Sequence, residues 1–325
     1  MKKFFTIFLS LLLIIAPLSA CKNKDENVLK INEVTHSVFY APLYLAIENG
    51  YFEEENLKIE LTNGGGADKS MTAVLSKTAD IGLMGPETVI YVYNQNKADS
   101  PKVFGQLTKK DGAFLVSRNA EPNFKWEDLK DKEILAGRLG GVPAMTFEYI
   151  LNEIGLKNGD YTLNFDVQFN LMTSAFLSGE ADYCTVFEPT ASEYQAQGKW
   201  HIVASVGEKG GEIPYTSFIA LNSFIESNQE KLTSFLKALK KANDFIATHS
   251  ELEVANAILA QFPSTSVKSI EDSIKSYKSI DAWQSDLIAT EQSFTRLQDI
   301  IENAGQLTTR VPFDKIVDNS LAKAI

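Results

Sequence analysis

The 325-residue chain is poor in the residues that most often do chemistry. It has two cysteines, Cys21 and Cys184, and three histidines, His36, His201 and His249, too far apart for metal-ligand spacing. No Gly-x-Gly-x-x-Gly follows the first strand-like run and no Gly-x-Ser-x-Gly occurs, so dinucleotide and nucleophile-elbow chemistry have no motif. Gly64–Ser70 has the look of a phosphate loop, but Asp68 stands where the glycine before Lys69 belongs. Basic charge is short as well. Lys and Arg number 31 against 42 Asp and Glu, a formal charge of −11. That balance speaks against nucleic acid, whose backbone needs a basic footprint, and against direct adhesion to anionic lipid. No cofactor, metal or catalytic activity is expected.

Long apolar runs are scarce too. The one present is Phe4–Ala16, behind Lys2 and Lys3 and ahead of Pro17. It is short of the about 20 residues a membrane-spanning helix needs, and its order is that of a secretory signal peptide over residues 1–20. Leu18-Ser19-Ala20-Cys21 resembles a bacterial lipobox, which predicts lipidation of Cys21 and cleavage before it. The alternative is an ordinary signal peptide with Cys21 incidental. Residues 21–27 then read as a lipidated, polar tether. With Cys21 acylated, Cys184 has no disulfide partner, and its strand-like setting predicts a packed thiol.

What the chain does have is alternation. Val28–Val34, Lys58–Leu61 and Asp80–Leu83 read as strands, interleaved with helices at Pro42–Asn49, Lys69–Ser76 and Pro86–Asn94. The series returns with strands at Glu133–Ala136, Leu163–Phe165 and Asp182–Val186 and helices at Ala144–Glu153, Leu171–Ser178 and Pro189–Gln197. Ala73-Val74-Leu75-Ser76-Lys77-Thr78-Ala79-Asp80 is echoed by Ala175-Phe176-Leu177-Ser178-Gly179-Glu180-Ala181-Asp182 at the same step of both series. Two lobes of similar α/β design follow. Tyr215–Leu221 is strand-like, and from Ser223 the chain is helical. Ser227 with Glu230 and Ser250 with Glu253 have capping-box spacing. Leu232, Phe235, Leu236, Leu239, Ala242 and Phe245 form one apolar stripe, and Phe294, Leu297, Ile300 and Ile301 another.

Ligands of open parallel sheets bind beyond the carboxyl ends of the strands. The loops so placed nominate Ser37, Phe39, Tyr40, Tyr44, Gly65, Gly66, Gly85, Glu87, Thr88, Arg138, Gly140, Gly141, Asn170, Phe187, Glu188 and Tyr215 as ligand contacts. Glycines admit a ligand close to the backbone, and the aromatic rings offer stacking. Each has a plainer reading: Gly64–Gly66 as a turn, Arg138 as a surface charge, Glu188 as the cap of the helix at Pro189. His36 suits a polar loop contact better than catalysis.

The run Phe39-Tyr40-Ala41-Pro42-Leu43-Tyr44-Leu45-Ala46-Ile47-Glu48-Asn49-Gly50-Tyr51-Phe52-Glu53-Glu54-Glu55-Asn56-Leu57 resembles the opening of the NMT1/THI5-like family, solute-binding proteins of ABC importers for alkanesulfonates, nitrate and thiamine pyrimidines. The resemblance continues through Gly66-Ala67-Asp68, Ala79-Asp80-Ile81-Gly82 and Gly140-Gly141-Val142-Pro143. It implies a two-lobed type II periplasmic-binding-protein fold, with residues 28–108 and 214–325 in the first lobe and 109–213 in the second. Crossings would fall near Gln106–Lys110 and Glu212–Tyr215. It further implies a monomer that closes on a small solute and docks on an ABC permease with its ATPase, anchored at the outer face of the cell membrane, or its periplasmic side where there are two membranes. The aromatics and Glu188 lean toward a heterocyclic vitamin precursor such as a thiamine-related pyrimidine. Arg138 and the glycine-rich helix starts favour an alkanesulfonate, nitrate or other small anion. Some family relatives make the thiamine pyrimidine with a cysteine- and histidine-rich segment that has no counterpart here. An adhesin or sensor lipoprotein on the same fold is a further alternative.

Overall fold

The computed structural model describes residues 27–325. The signal peptide, Cys21 and Lys22–Glu26 of the tether lie outside the described residues. Ten strands form two five-stranded sheets: β1 Val28–Glu33, β2 Lys58–Asn63, β3 Ile81–Met84, β4 Pro101–Thr108, β5 Ala113–Ser117, β6 Glu133–Leu135, β7 Thr162–Leu163, β8 Tyr183–Phe187, β9 His201–Ser205 and β10 Thr216–Leu221. The orders are β2-β1-β3-β10-β4 and β7-β6-β8-β5-β9. In the first sheet β1 pairs in parallel with β2 and β3, and in the second β6 pairs in parallel with β7 and β8. Each sheet also takes one strand that adjoins a crossing: β10 lies antiparallel between β3 and β4, and β5 antiparallel between β8 and β9.

The repeated Ala-Asp has a structural reason. Asp80 accepts from Lys30 N through Oδ2 at 2.9 Å while its own N–H donates to Lys30 O at 2.8 Å. Asp182 does the same with Glu133, at 2.9 and 2.7 Å. In both sheets an aspartate ahead of the third parallel strand grips the central strand one residue before the ladder between them begins, and so fixes its register.

Strands β4, β5 and β9 escape the alternating pattern. In β4 the cause is Gly105, which weakens a strand signal. A Cβ there would stand 2.8 Å from Leu236 Cδ2, so the glycine admits helix Gln229–Thr248 against the sheet. That helix buries Leu232, Phe235, Leu236, Leu239 and Ala242 as its stripe requires, with Phe245 half-buried, and Phe235 stacks on Phe52 at 5.2 Å. The second stripe, on helix Glu291–Asn303, is buried throughout. Ser250 and Glu253 form the expected capping box, but Ser227 and Glu230 do not. Asn228 takes the N-cap, and Ser227 Oγ donates back to Ser223 O at 2.7 Å because Ser227 ends the preceding helix, Asn222–Ser227.

The C-terminal helices also reach the second sheet. Tyr277, on helix Val267–Ser279, donates to Gly112 O at 3.2 Å and accepts from Glu188 N at 3.0 Å. Arg296 donates to Gly210 O at 2.6 Å. No helix among the described residues is long and apolar enough to cross a membrane.

Candidate functional site

The carboxyl ends of β1, β3, β6 and β8 converge on a cleft between the two sheets, closed by direct bonds. Ser37 Oγ, after β1, donates to Glu188 O at 2.6 Å. Tyr91 Oη, on helix Glu87–Tyr93, donates to Gly140 O at 2.9 Å. Arg138 Nη2 lies 3.5 Å from Glu87 Oε1, and its Nε 3.6 Å from Asp68 Oδ1.

Two chambers remain in the cleft. The inner, about 50 Å³, is lined by Val34, Thr35, Tyr40, Gly66, Ala67, Gly85, Glu87, Arg138, Gly141, Val142, Pro143, Phe169, Phe187, Tyr215 and Thr216. The outer, about 200 Å³, shares Val34, Thr35, Phe169 and Phe187 and adds more polar walls, among them His36, Ser37, Asn63, Gly65, Asn170, Thr173, Glu188 and Thr190. Eight nominated residues line the inner chamber: Tyr40, Gly66, Gly85, Glu87, Arg138, Gly141, Phe187 and Tyr215. Ser37, Gly65, Asn170 and Glu188 belong to the outer one.

Four nominated residues are not among the lining residues. Phe39 is fully buried and packs its ring within 5.8 Å of Tyr40, Phe187, Tyr215 and Tyr277, so it supports the cage from behind. Tyr44 gives its hydroxyl to Glu33 Oε2 at 2.6 Å. Thr88 donates to Gly85 O at 2.7 Å, and Gly140 supplies the carbonyl that Tyr91 grips. Glu188 lines the outer chamber and also serves its own helix. Its Oε2 accepts from Ser192 N at 2.9 Å and its Oε1 from Ser192 Oγ at 2.7 Å. Its carboxylate so engages the first turn of helix Thr190–Ala196, which meets the capping reading, while the residue also lines the outer chamber. Gly65 is at φ +69°, which meets the turn reading, while it also lines the outer chamber.

Sequence reasoning passed over Thr35, Phe169, Val142 and Thr216. Phe169 and Thr35 stand in loops already marked, one position from Asn170 and two from Ser37. Only the three-dimensional placement separates them from their neighbours.

Glu87 dominates the electrostatics. It is 1% exposed, and its Oε2 has no hydrogen-bond partner. Burial raises its pKa, against which the Arg138 guanidinium and the amide groups of Glu87, Val142 and Thr88 favour the charged form. Tyr40 and Tyr215, facing the same chamber, are held protonated far above the ordinary tyrosine range, by burial first. Asp111, in the crossing between β4 and β5, is pushed up to about 7 by burial.

The family model described as NMT1/THI5 like matches residues 38–252. The binding protein YtlA of Bacillus subtilis (strain 168) is 39% identical over 310 residues, 95% of this chain and 93% of that protein. The chain belongs to the NMT1/THI5-like family. It is a solute-binding protein of that family, as its opening run implies. A more distant relative, 24% identical over 64% of this chain and 63% of its own length, is the 4-amino-5-hydroxymethyl-2-methylpyrimidine phosphate synthase of Aspergillus parasiticus. Among solved structures, the alkanesulfonate-binding protein SsuA of Xanthomonas axonopodis pv. citri, bound to MOPS, superposes with TM-score 0.74 at 17% identity, covering 90% of this chain and 98% of that one. That likeness shows the fold, the two-lobed periplasmic-binding-protein architecture expected from the sequence.

Proposed function

We propose that this protein is the exported, lipid-anchored receptor of an ABC importer, and that its solute is a small planar heterocycle carrying N–H donors, in the class of thiamine-related pyrimidines. The observation that carries the choice of solute is the Glu87 carboxylate. It is buried, has an unpaired Oε2, and is walled by Tyr40, Phe187 and Tyr215. A buried acceptor asks for a donor, and aromatic walls suit a flat ring. The family relationship supports import, and the pyrimidine phosphate synthase relative supports a pyrimidine.

Mass spectrometry of solute carried through native purification tests this, followed by thermal shifts, since bound solute raises stability by mass action. A heterocycle should be recovered, and 4-amino-5-hydroxymethyl-2-methylpyrimidine should raise the unfolding temperature. Recovery of a sulfonate or nitrate instead refutes it. Cys184 is fully buried in β8, and burial raises its thiol pKa, as a packed thiol requires.

A further inference from the structure

Arg138 and the start of helix Val142–Glu153 form the part of the cleft suited to an anion, since a guanidinium and free N–H groups at a helix start both favour negative charge. No anion from outside need supply that charge. The Glu87 carboxylate reaches this place from the opposite sheet, with Oε1 3.5 Å from Arg138 Nη2, and Val142 lines the same chamber. Its position is built. Gly85 has no side chain where a Cβ would collide with the Glu87 carboxylate, and the residue is 1% exposed. Asp68 holds the other side of Arg138, with Oδ1 3.6 Å from Nε. The one strong cation of the inner chamber is therefore flanked by two carboxylates of the same chain.

We propose that Glu87 is a specificity-determining residue that acts as a resident anion: it occupies the anion-binding place of the cleft, excludes small anionic solutes, and leaves Oε2 to accept a hydrogen bond from a neutral or cationic one. This rests on reading the cavity as the solute site. An incoming sulfonate or nitrate would meet a like charge across a few ångströms of poorly solvated space, while its natural partner, Arg138, is already engaged. A donor-bearing solute meets an unpaired acceptor.

Nitrate and methanesulfonate serve as probes, with binding read by calorimetry on the full mature chain. The wild type should show no binding at millimolar concentration. Glu87→Gln removes the charge at nearly constant shape, and Glu87→Ala also opens room. Both should gain affinity for one or both anions, by about a hundredfold for a vacated like charge at this range. The gain should vanish when Arg138→Ala is added. Wild-type binding of either anion as tight as in the variants overturns the proposal. So does no gain in Glu87→Gln, or a gain that survives loss of Arg138. Glu87→Gln keeps the test valid should Glu87→Ala fail to fold. Failure of any pyrimidine to bind the wild type would sink the proposed solute class, while the anion measurements would still decide the role of Glu87.

Discussion

His36 should make the stability of the first ligand loop depend on pH, through a single proton. Its Nδ1 lies 2.8 Å from Glu33 Oε1 and its Nε2 2.9 Å from Gln261 O. Both partners are acceptors, and a neutral imidazole has only one N–H to give. The charged ring satisfies both, and it sits between Tyr44 and Phe262 at 4.7 and 4.8 Å. Burial lowers its pKa, but the bonds to Glu33 and Gln261 and the charge of Glu33 outweigh that and raise it above the ordinary 6.5. A group whose folded pKa is raised contributes stability that is complete below the unfolded value and is lost as pH rises through the folded one. The perturbation is His36→Gln, which keeps one donor but cannot bridge both acceptors. It leaves Glu33, 1% exposed, with the Tyr44 hydroxyl at 2.6 Å as its remaining side-chain partner. A charge-assisted hydrogen bond contributes about 1.5–3 kcal/mol, and the partial solvation of His36 argues for about 1–2 kcal/mol here. Urea unfolding of both proteins between about pH 6 and 9 measures it. Subtracting the variant cancels His201 and His249. The difference should be largest at the acid end and shrink as pH rises. A flat difference, or one that grows with pH, refutes the reasoning, as would a proton-NMR titration placing His36 below 6.5.

Phe39→Ala should cost about 3–5 kcal/mol in denaturant unfolding, because the ring is fully buried beneath the cage, and should weaken solute binding without removing any lining residue. Asp80→Ala and Asp182→Ala each remove one hydrogen bond that an aspartate side chain accepts from a central strand. Each should cost about 1 kcal/mol, with faster amide exchange at Lys30 and Glu133 respectively and no loss of exchange protection in the other sheet. Cys21→Ala should abolish fatty-acid labelling of the protein in growing cells; label that persists in the variant, or none in the wild type, refutes the anchor.

The alternation of strand and helix was legible because parallel sheets write it in a simple form: apolar runs, then helical stripes, then glycine or proline at the joints. The Ala-Asp echo carried further, since it marks the same hydrogen-bonding duty in both sheets. What stayed hidden was whatever answers to packing from far along the chain. Gly105 breaks the strand pattern of β4 for the sake of Leu236, 131 positions later. Ser227 and Glu230 have capping spacing, but the end of one helix abuts the start of the next and claims the serine. Phe39 and Tyr44 carry the same letters as a stacking platform, and only tertiary placement turns one into support and the other into a partner for Glu33.

The two glutamates of the cleft show where local order becomes chemistry. Gly85-Pro86-Glu87 and Glu188-Pro189 occupy the same step in the two sheets, directly after β3 and β8, and each pairs a glutamate with a proline at a helix start. The order within the pair differs. Glu188 precedes its proline, stands outside the helix, and can turn its carboxylate onto Ser192 in the first turn, where both oxygens are engaged. Glu87 follows its proline and is the first residue of its helix, so its carboxylate does not engage a side chain of its own first turn as Glu188 does. Its side chain turns over Gly85 toward Arg138 and keeps one oxygen unpaired. Both glutamates line the cleft, and the position of each proline decides which carboxylate keeps an oxygen unpaired. An aromatic cage with a spare acceptor follows from Glu87 and not from Glu188, so the preference for a donor-bearing ring stands on a different residue from the one that first suggested it.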